Sequence, residues 1–122
     1  MKRIIIVDDD ADILDVFKLI FERAGYAVTI FNKSDALFNN EFEEPDIFII
    51  DKQLSGADGL DVCRFLKKRA SKQTTPVIIF SASPHIDLLA REAGADDFLE
   101  KPFKIKVLLQ MVEKHLNKSV AA

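Results

Sequence analysis

The sequence lacks the features that mark several classes of protein. It has one cysteine, Cys63, among 122 residues, so no internal disulfide can form and a reducing compartment is expected. Its longest apolar runs are four or five residues, far short of a membrane-spanning helix. The net charge of −3 and the pI of about 5.4 leave no basic excess of the kind that nucleic-acid-binding proteins carry. These absences favour a cytoplasmic protein with neither a nucleic-acid nor a membrane partner.

The chain also lacks a linker, a low-complexity segment and a short repeat. Met1-Lys2-Arg3 leads into four apolar residues and then three acids, which is not the pattern of a secretory signal. Hydrophobic residues make up 48% and charged residues 30%, a balance typical of a folded core rather than of disorder. We therefore expect one domain over residues 1–118 and a frayed tail at 119–122.

Short apolar segments alternate with helical patterns along the whole chain. The predicted strands are Arg3–Val7, Tyr26–Phe31, Asp46–Ile50, Val77–Phe80 and Asp97–Leu99. The first, third and fourth are continuously apolar, which indicates burial on both faces in the centre of a parallel sheet. The second and fifth are mixed and are predicted to be edge strands. This alternation predicts a five-stranded, doubly wound parallel α/β sheet with helices on both faces.

The helical segments show clear apolar stripes and stop signals. The first stripe comprises Ile13, Phe17, Ile20, Phe21 and Ala24. Gly25 and Gly94 lie where helices need a left-handed cap, and Ser83-Pro84 is predicted to open the fourth helix. Further helices are predicted over 34–42, 58–70 and 105–116. His85 and His115 are isolated within helical segments, and both are interpreted as surface residues.

Polar residues follow four of the predicted strands. They are Asp8-Asp9-Asp10 after the first, Asp51 after the third, Ser81 after the fourth and Lys101-Pro102 after the fifth. Ligands of open α/β sheets bind at the carboxyl ends of the strands, so these side chains should converge. Crowded carboxylates repel unless a cation or a proton intervenes, and Mg²⁺ prefers oxygen ligands.

This set of residue types suits phosphate chemistry. A carboxylate can attack phosphorus, while an ammonium and a hydroxyl can bind the phosphoryl oxygens. Simpler interpretations exist for single residues: Asp9 or Asp10 can cap the first helix, and Asp51 can be a solvated strand end. The joint pattern favours a divalent-metal site that handles a phosphoryl group.

At this point the chain resembles the receiver domain of two-component response regulators, of the stand-alone, CheY-like type. The resemblance covers nearly the whole sequence. It rests on Asp8-Asp9, on Asp51-x-x-Leu54 running to Asp58-Gly59, on Ser81-Ala82, on residues 94–98 and on Lys101-Pro102-Phe103. It implies a flavodoxin-like fold with strand order 2-1-3-4-5. It also implies a phosphoacceptor that catalyses only its own phosphorylation and slow dephosphorylation, and is not otherwise an enzyme.

The resemblance implies a metal site and a phosphorylation site. Asp51 would accept the phosphoryl group from a phosphohistidine of a sensor histidine kinase or a histidine phosphotransfer protein. Asp9 would bind Mg²⁺ directly, Asp8 would hold a metal-bound water, and Asp51 and the backbone carbonyl of Gln53 would complete the protein ligands. The resemblance also implies that Mn²⁺ can replace Mg²⁺ in this site.

The resemblance also implies a switch. Lys101 would pair with the phosphoryl group, and the Lys101-Pro102 bond would be cis. Ser81 and Ala82 would contact the phosphoryl group, and Phe98 would turn inward. The alternative for Phe98, less favoured than the switch role, is an edge-strand aromatic side chain that packs on helices. An unknown output protein would bind the surface of the fourth helix, fifth strand and fifth helix, with the chain a monomer or a phosphorylation-linked dimer.

Two other functions are weighed against this one. A Mg²⁺-dependent phosphohydrolase with an aspartate nucleophile usually carries a second acid two residues later, where this chain has Gln53. A phosphorylation-independent docking module would not need the complete set of acids, hydroxyl and lysine. Ser55 replaces a proline frequent in the family, which we expect to loosen the loop without affecting chemistry. Lys52, at the rim of the site, can help recruit a negatively charged partner or extend into solvent, and the second is favoured.

Overall fold

The computed structural model describes residues 1–69 and 75–117. In chain order its strands are β1 (Arg3–Val7), β2 (Ala27–Phe31), β3 (Ile47–Asp51), β4 (Gln53–Leu54), β5 (Ala57–Asp58), β6 (Val77–Ser81) and β7 (Asp97–Glu100). Five of them form one parallel sheet in the order β2-β1-β3-β6-β7, and β4 and β5 form a small antiparallel hairpin. Counted among the sheet strands alone, this is the order 2-1-3-4-5. The predicted doubly wound, flavodoxin-like fold is therefore confirmed.

The helices connect successive sheet strands and cover both faces of the sheet. They are α1 (Ala11–Arg23), α2 (Asp35–Phe38), α3 (Gly59–Lys67), α4 (Ile86–Glu92) and α5 (Ile105–Asn117). No helix in the described ranges has both the length and the apolar character needed to cross a bilayer. The predicted extension of the third helix to Ala70, the domain end at 118 and the tail at 119–122 lie outside the described residues.

Alternate residues of the central strands point to opposite faces, which gives two core layers. Ile5, Val7, Phe48 and Ile50 pack with residues of α2, α3 and α4. On the other face, the second layer joins the sheet to α1 and α5. Its members include Ile4, Ile6, Ile49, Phe80, Phe17, Phe21, Leu108 and Val112. Burial on both faces explains why the central strands are continuously apolar.

The ends of α1 follow from local chemistry. Asp10 is the N-cap, and its carboxylate accepts hydrogen bonds from the N–H groups of Asp12 and Ile13. After the helix ends, Gly25 has φ = 98°, a left-handed conformation that glycine adopts without strain. The predicted apolar stripe was partly wrong, because Leu14 is buried whereas Ala24 is exposed.

Helix α4 begins later than predicted. Ser83-Pro84 does not cap it, and the N–H of Ser83 donates to the Ser81 hydroxyl at 2.9 Å. The chain turns there, and His85 takes the N-cap position in a left-handed conformation with φ = 60°. The Ser81 hydroxyl thus draws the start of this loop back towards the end of β6.

His115 is buried, so its interpretation as a surface residue was wrong. Only 4% of it is exposed, and its Nε2–H donates to the carboxylate of Asp97 at 2.8 Å. Lys114 approaches the same carboxylate at 3.3 Å. Although burial opposes it, the hydrogen bonds from His115, from the Phe98 N–H and from Lys114 hold the pKa of Asp97 below its ordinary value. The last turn of α5 is thereby fastened to the start of β7.

Candidate metal and phosphoryl site

Parallel register brings the predicted acidic residues together at one edge of the sheet. Val7 of β1 lies opposite Ile50 of β3, so Asp8 and Asp51 each occupy the next position on neighbouring strands. Carboxylate oxygens of Asp8, Asp9 and Asp51 lie within 4.8 Å of one another. The convergence predicted from the strand ends is therefore present, with Asp10 turned aside to cap α1.

Asp8 is the member of this cluster whose pKa is most clearly shifted. It is only 1% exposed. One oxygen accepts from the N–H of Asp10 at 2.9 Å, and the other, Oδ2, has no hydrogen-bond partner within the described ranges. Burial raises the pKa of Asp8 to about 6; the carboxylates of Asp51 and Asp9 add to the rise, and the Asp10 N–H and the Lys101 ammonium oppose it.

Asp51 is buried and has partners for both of its oxygens. It is 4% exposed; Oδ1 accepts from the N–H of Gln53 at 3.2 Å, and Oδ2 accepts from Nζ of Lys101 at 3.3 Å. The Lys101 ammonium also lies 4.9 Å from the centre of the Phe80 ring. The Lys101-Pro102 peptide bond is cis. One cation thus faces three carboxylates, which leaves the cluster short of positive charge.

Two residues that sequence reasoning set aside make contacts in or near the site. The hydroxyl of Ser55 donates to Oδ2 of Asp9 at 3.0 Å, a contact that was not predicted. Lys52 does not extend into solvent, because it pairs with Asp58 at 3.1 Å and its side chain is 18% exposed. Neither contact follows from local patterns: both depend on how the β4–β5 hairpin folds back.

Close backbone approach fixes the loop behind Asp51. The N–H of Gly59 donates to the carbonyl of Lys52 at 2.7 Å. A Cβ atom at Gly59 would collide with the backbone carbonyl of Asp51. Glycine is therefore required where α3 begins directly beneath the cluster.

The remaining predicted site residues surround the cluster at different depths. Ser81 is buried at the end of β6, Ala82 is exposed just beyond it, and Phe98 is half-buried in β7, where it packs on the core layer beneath α4. The backbone N–H of Lys101 donates to the carbonyl of Ser81 at 2.8 Å, which holds these two strand ends together. Gln53 is exposed, and its N–H, rather than its carbonyl, makes the contact with Asp51.

An apolar groove of about 640 Å³ opens beside the cluster. It runs between α1 and the beginning of α5. Its lining includes Ile13, Val16, Phe17, Lys101, Pro102 and Phe103. A molecule lying in this groove would reach the ammonium of Lys101, which is also the partner of Asp51.

The residues present fit a divalent cation. Among the described residues, three carboxylates lie within 4.8 Å of one another, and Oδ2 of Asp8 has no hydrogen-bond partner. The ammonium of Lys101, paired with Asp51, does not neutralise this oxygen-rich set. Mg²⁺ suits such a site because it takes few protein carboxylates and keeps several waters.

Comparison with known proteins gives a consistent result. The family model described as "Response regulator receiver domain" matches residues 4–113. The receiver domain of the Francisella response regulator 1452 is 30% identical, with a TM-score of 0.87 over 98% of this chain and 99% of that chain. The signal receiver domain of a histidine kinase from Syntrophus aciditrophicus is 32% identical, with a TM-score of 0.87 over 96% of this chain and 91% of that chain.

A third solved structure bears on the metal. The response regulator TrrA from Thermotoga maritima, solved in complex with Mg²⁺–BeF, is 29% identical. Its TM-score is 0.82, with 94% of this chain and 99% of that chain covered.

Proposed function

The chain belongs to the response regulator receiver domain family, and on this premise we propose that it accepts a phosphoryl group on Asp51 in a Mg²⁺-dependent reaction. The observation that carries the proposal is the meeting of Asp8, Asp9 and Asp51 within 4.8 Å, with the Lys101 ammonium 3.3 Å from Asp51. The family is a phosphoacceptor family, and the finer assignment of roles to residues is ours.

Asp51 is the nucleophile in this proposal. Its Oδ2 would attack phosphorus of a phosphohistidine, and the bond from phosphorus to the histidine nitrogen would break as the acyl phosphate forms. Lys101 already faces Oδ2 and would bind a phosphoryl oxygen as negative charge gathers there. Asp8, Asp9, Asp51 and the carbonyl of Gln53 would hold Mg²⁺, or Mn²⁺ in its place. Bound there, the metal supplies charge neutralisation between the carboxylates and the phosphoryl oxygens.

The groove beside Lys101 supports a protein donor. A phosphohistidine is carried on a protein surface. The apolar residues that line the groove, Val16 and Phe103 among them, would contact the protein surface around that histidine. Val16, which is 53% exposed, contributes to this apolar lining from α1. We therefore assign the donor role to a sensor histidine kinase or a histidine phosphotransfer protein.

The switch would start from Ser81. Its hydroxyl accepts from the Ser83 N–H, and binding the phosphoryl group together with Ala82 would draw the loop before α4 towards Asp51. Phe98 is half-buried one strand away and would move further inward. The output surface would comprise α4, β7 and α5, where Leu88 is 57% and Val107 is 40% exposed. A cytoplasmic output protein, or a second phosphorylated copy, would bind there.

Intact-mass spectrometry tests the proposal. Native chain incubated with acetyl phosphate and Mg²⁺ should gain one phosphoryl group, and omission of Mg²⁺ or addition of EDTA should remove most of that gain. Asp51→Asn removes the nucleophile while keeping the size and the acceptor oxygen for the Gln53 N–H, so it should gain none. An equal gain by Asp51→Asn would contradict the assignment.

A further inference from the structure

Asp9 is held differently from the other two carboxylates of the cluster. Asp8 and Asp51 are each fixed by a backbone N–H two residues ahead. Asp9 is the exposed member of the three. Among the described residues, its side chain has one hydrogen-bond donor, the hydroxyl of Ser55, which is 46 positions away in the sequence. The orientation of the outermost carboxylate therefore depends on a side chain from another loop.

The hairpin that carries Ser55 is itself well fixed. Ser55 is followed by Gly56, which has φ = 77° and turns the chain from β4 into β5. The base of the hairpin is closed by the pairing of Gln53 with Asp58 and by the ion pair between Lys52 and Asp58 at 3.1 Å. The Ser55 hydroxyl therefore reaches Asp9 from a turn whose two strands are held together by these contacts.

Electrostatics would otherwise turn Asp9 away from the site. Like charges repel, and an exposed carboxylate loses no hydration when it rotates into solvent. A hydrogen bond to a charged acceptor opposes this rotation. An ionised carboxylate has about four lone-pair sites, so Asp9 can accept from Ser55 and still ligate a cation.

We propose that Ser55 is a positioning residue for the metal site, whose hydroxyl holds the Asp9 carboxylate towards Asp8 and Asp51 and thereby raises the affinity for Mg²⁺. The inference rests on the proposed function of this cluster as a Mg²⁺ site. Groups that orient metal ligands in this way commonly change metal affinity by about 10- to 100-fold, and the exposure of Asp9 places this case near the lower limit.

The test is a titration of the metal-free chain with MgCl₂, in which Mg²⁺ binding is monitored by the NMR chemical shifts of the backbone amides of residues 8–10. Ser55→Ala should bind Mg²⁺ about tenfold more weakly. Ser55→Thr keeps the hydroxyl and should bind within about twofold of the native chain, since the hydrogen bond is retained. Thr29→Val is the matched control, because it removes an exposed hydroxyl from β2 without changing side-chain shape.

A second readout separates positioning from general destabilisation. The melting temperature of the metal-free Ser55→Ala variant should stay within about 2 °C of the native value, as for other surface substitutions. Equal or tighter Mg²⁺ binding by Ser55→Ala, or equal weakening by Thr29→Val, would overturn the inference. If the native chain is phosphorylated on Asp51 while the native chain and Ser55→Ala bind Mg²⁺ with equal affinity, only the role of Ser55 is refuted. If the native chain neither binds Mg²⁺ nor gains a phosphoryl group, the proposed function fails as well.

Discussion

The burial of Asp8 has a measurable cost to the stability of the metal-free chain. Its pKa rises from 3.8 to about 6, chiefly because the carboxylate is buried and partly because Asp51 and Asp9 are negatively charged. A pKa difference of this size corresponds to about 3 kcal/mol of destabilisation when the group is ionised. Asp8→Asn removes the charge but keeps an oxygen that can accept from the Asp10 N–H.

The sign of the pH dependence follows from the raised pKa. Below pH 3.8 the carboxyl group is protonated in both folded and unfolded chains, and it imposes no electrostatic cost. Between pH 3.8 and about 6 the unfolded chain ionises first, so stability falls as the pH rises. Above that range the Asp8 carboxylate is ionised in both states, and the destabilisation that it causes reaches its full value. Asp8→Asn should therefore be more stable than the native chain by up to about 3 kcal/mol at pH 7.5, and the difference should shrink to below about 1 kcal/mol at pH 4.

Urea unfolding in EDTA at both pH values measures this difference. Asp15→Asn is the control, because Asp15 is an exposed carboxylate on α1 and its replacement should change the free energy of unfolding by less than about 0.5 kcal/mol. Mg²⁺ should stabilise the native chain, since it binds only the folded site, and should stabilise Asp8→Asn less. An advantage of Asp8→Asn that is equal at both pH values, or absent at pH 7.5, would refute the electrostatic account of the cluster.

Two further substitutions test the contacts around the site. Gly59→Ala should destabilise the chain by about 3 kcal/mol in urea unfolding, because the added Cβ meets the backbone of Asp51. Gly25→Ala is the control: Gly25 has φ = 98° but lies in open space, so this change should cost about 1 kcal/mol. Equal destabilisation by the two variants would contradict the close approach at Gly59. Asp97→Asn should cost about 1–2 kcal/mol at pH 7, because it removes the charged acceptor of His115 and Lys114. Because the pKa of Asp97 is lowered in the folded chain, its carboxylate stabilises the fold above the ordinary pKa of 3.8, and this stability is lost as the pH falls below that value. The native chain and Asp97→Asn should therefore approach the same free energy of unfolding in acid. A difference in the free energy of unfolding that stays constant with pH would contradict this.

The sequence carried enough information for the sheet and for the acidic cluster. Continuous apolar runs such as Ile47–Ile50 identify buried parallel strands, and parallel strands bring their carboxyl ends to one edge. Asp8, Asp51 and Lys101 come together for this reason, since each directly follows or ends a strand. The period of hydrophobicity predicted the parallel strands, and the resemblance to the receiver family supplied their order in the sheet.

The errors arose where a contact depends on tertiary geometry. The local sequence around His115 does not indicate that it is buried, and its partner Asp97 lies 18 positions away on another element. Ser55 reaches Asp9 through the turn of a two-residue hairpin, which local propensity does not specify. Ser83 does not cap α4 because the helix starts only at Ile86, after His85 in a left-handed conformation, and local sequence signals did not place that start.

The most direct test of the account is the position of the phosphoryl group on the chain. Borohydride reduces an aspartyl phosphate to homoserine, and peptide mapping by mass spectrometry then identifies the modified residue. After reaction with acetyl phosphate and Mg²⁺, the account predicts homoserine at position 51 and unmodified aspartate at positions 8 and 9. Homoserine at either of those positions, or an unmodified Asp51 in a chain that has gained a phosphoryl group, would contradict it.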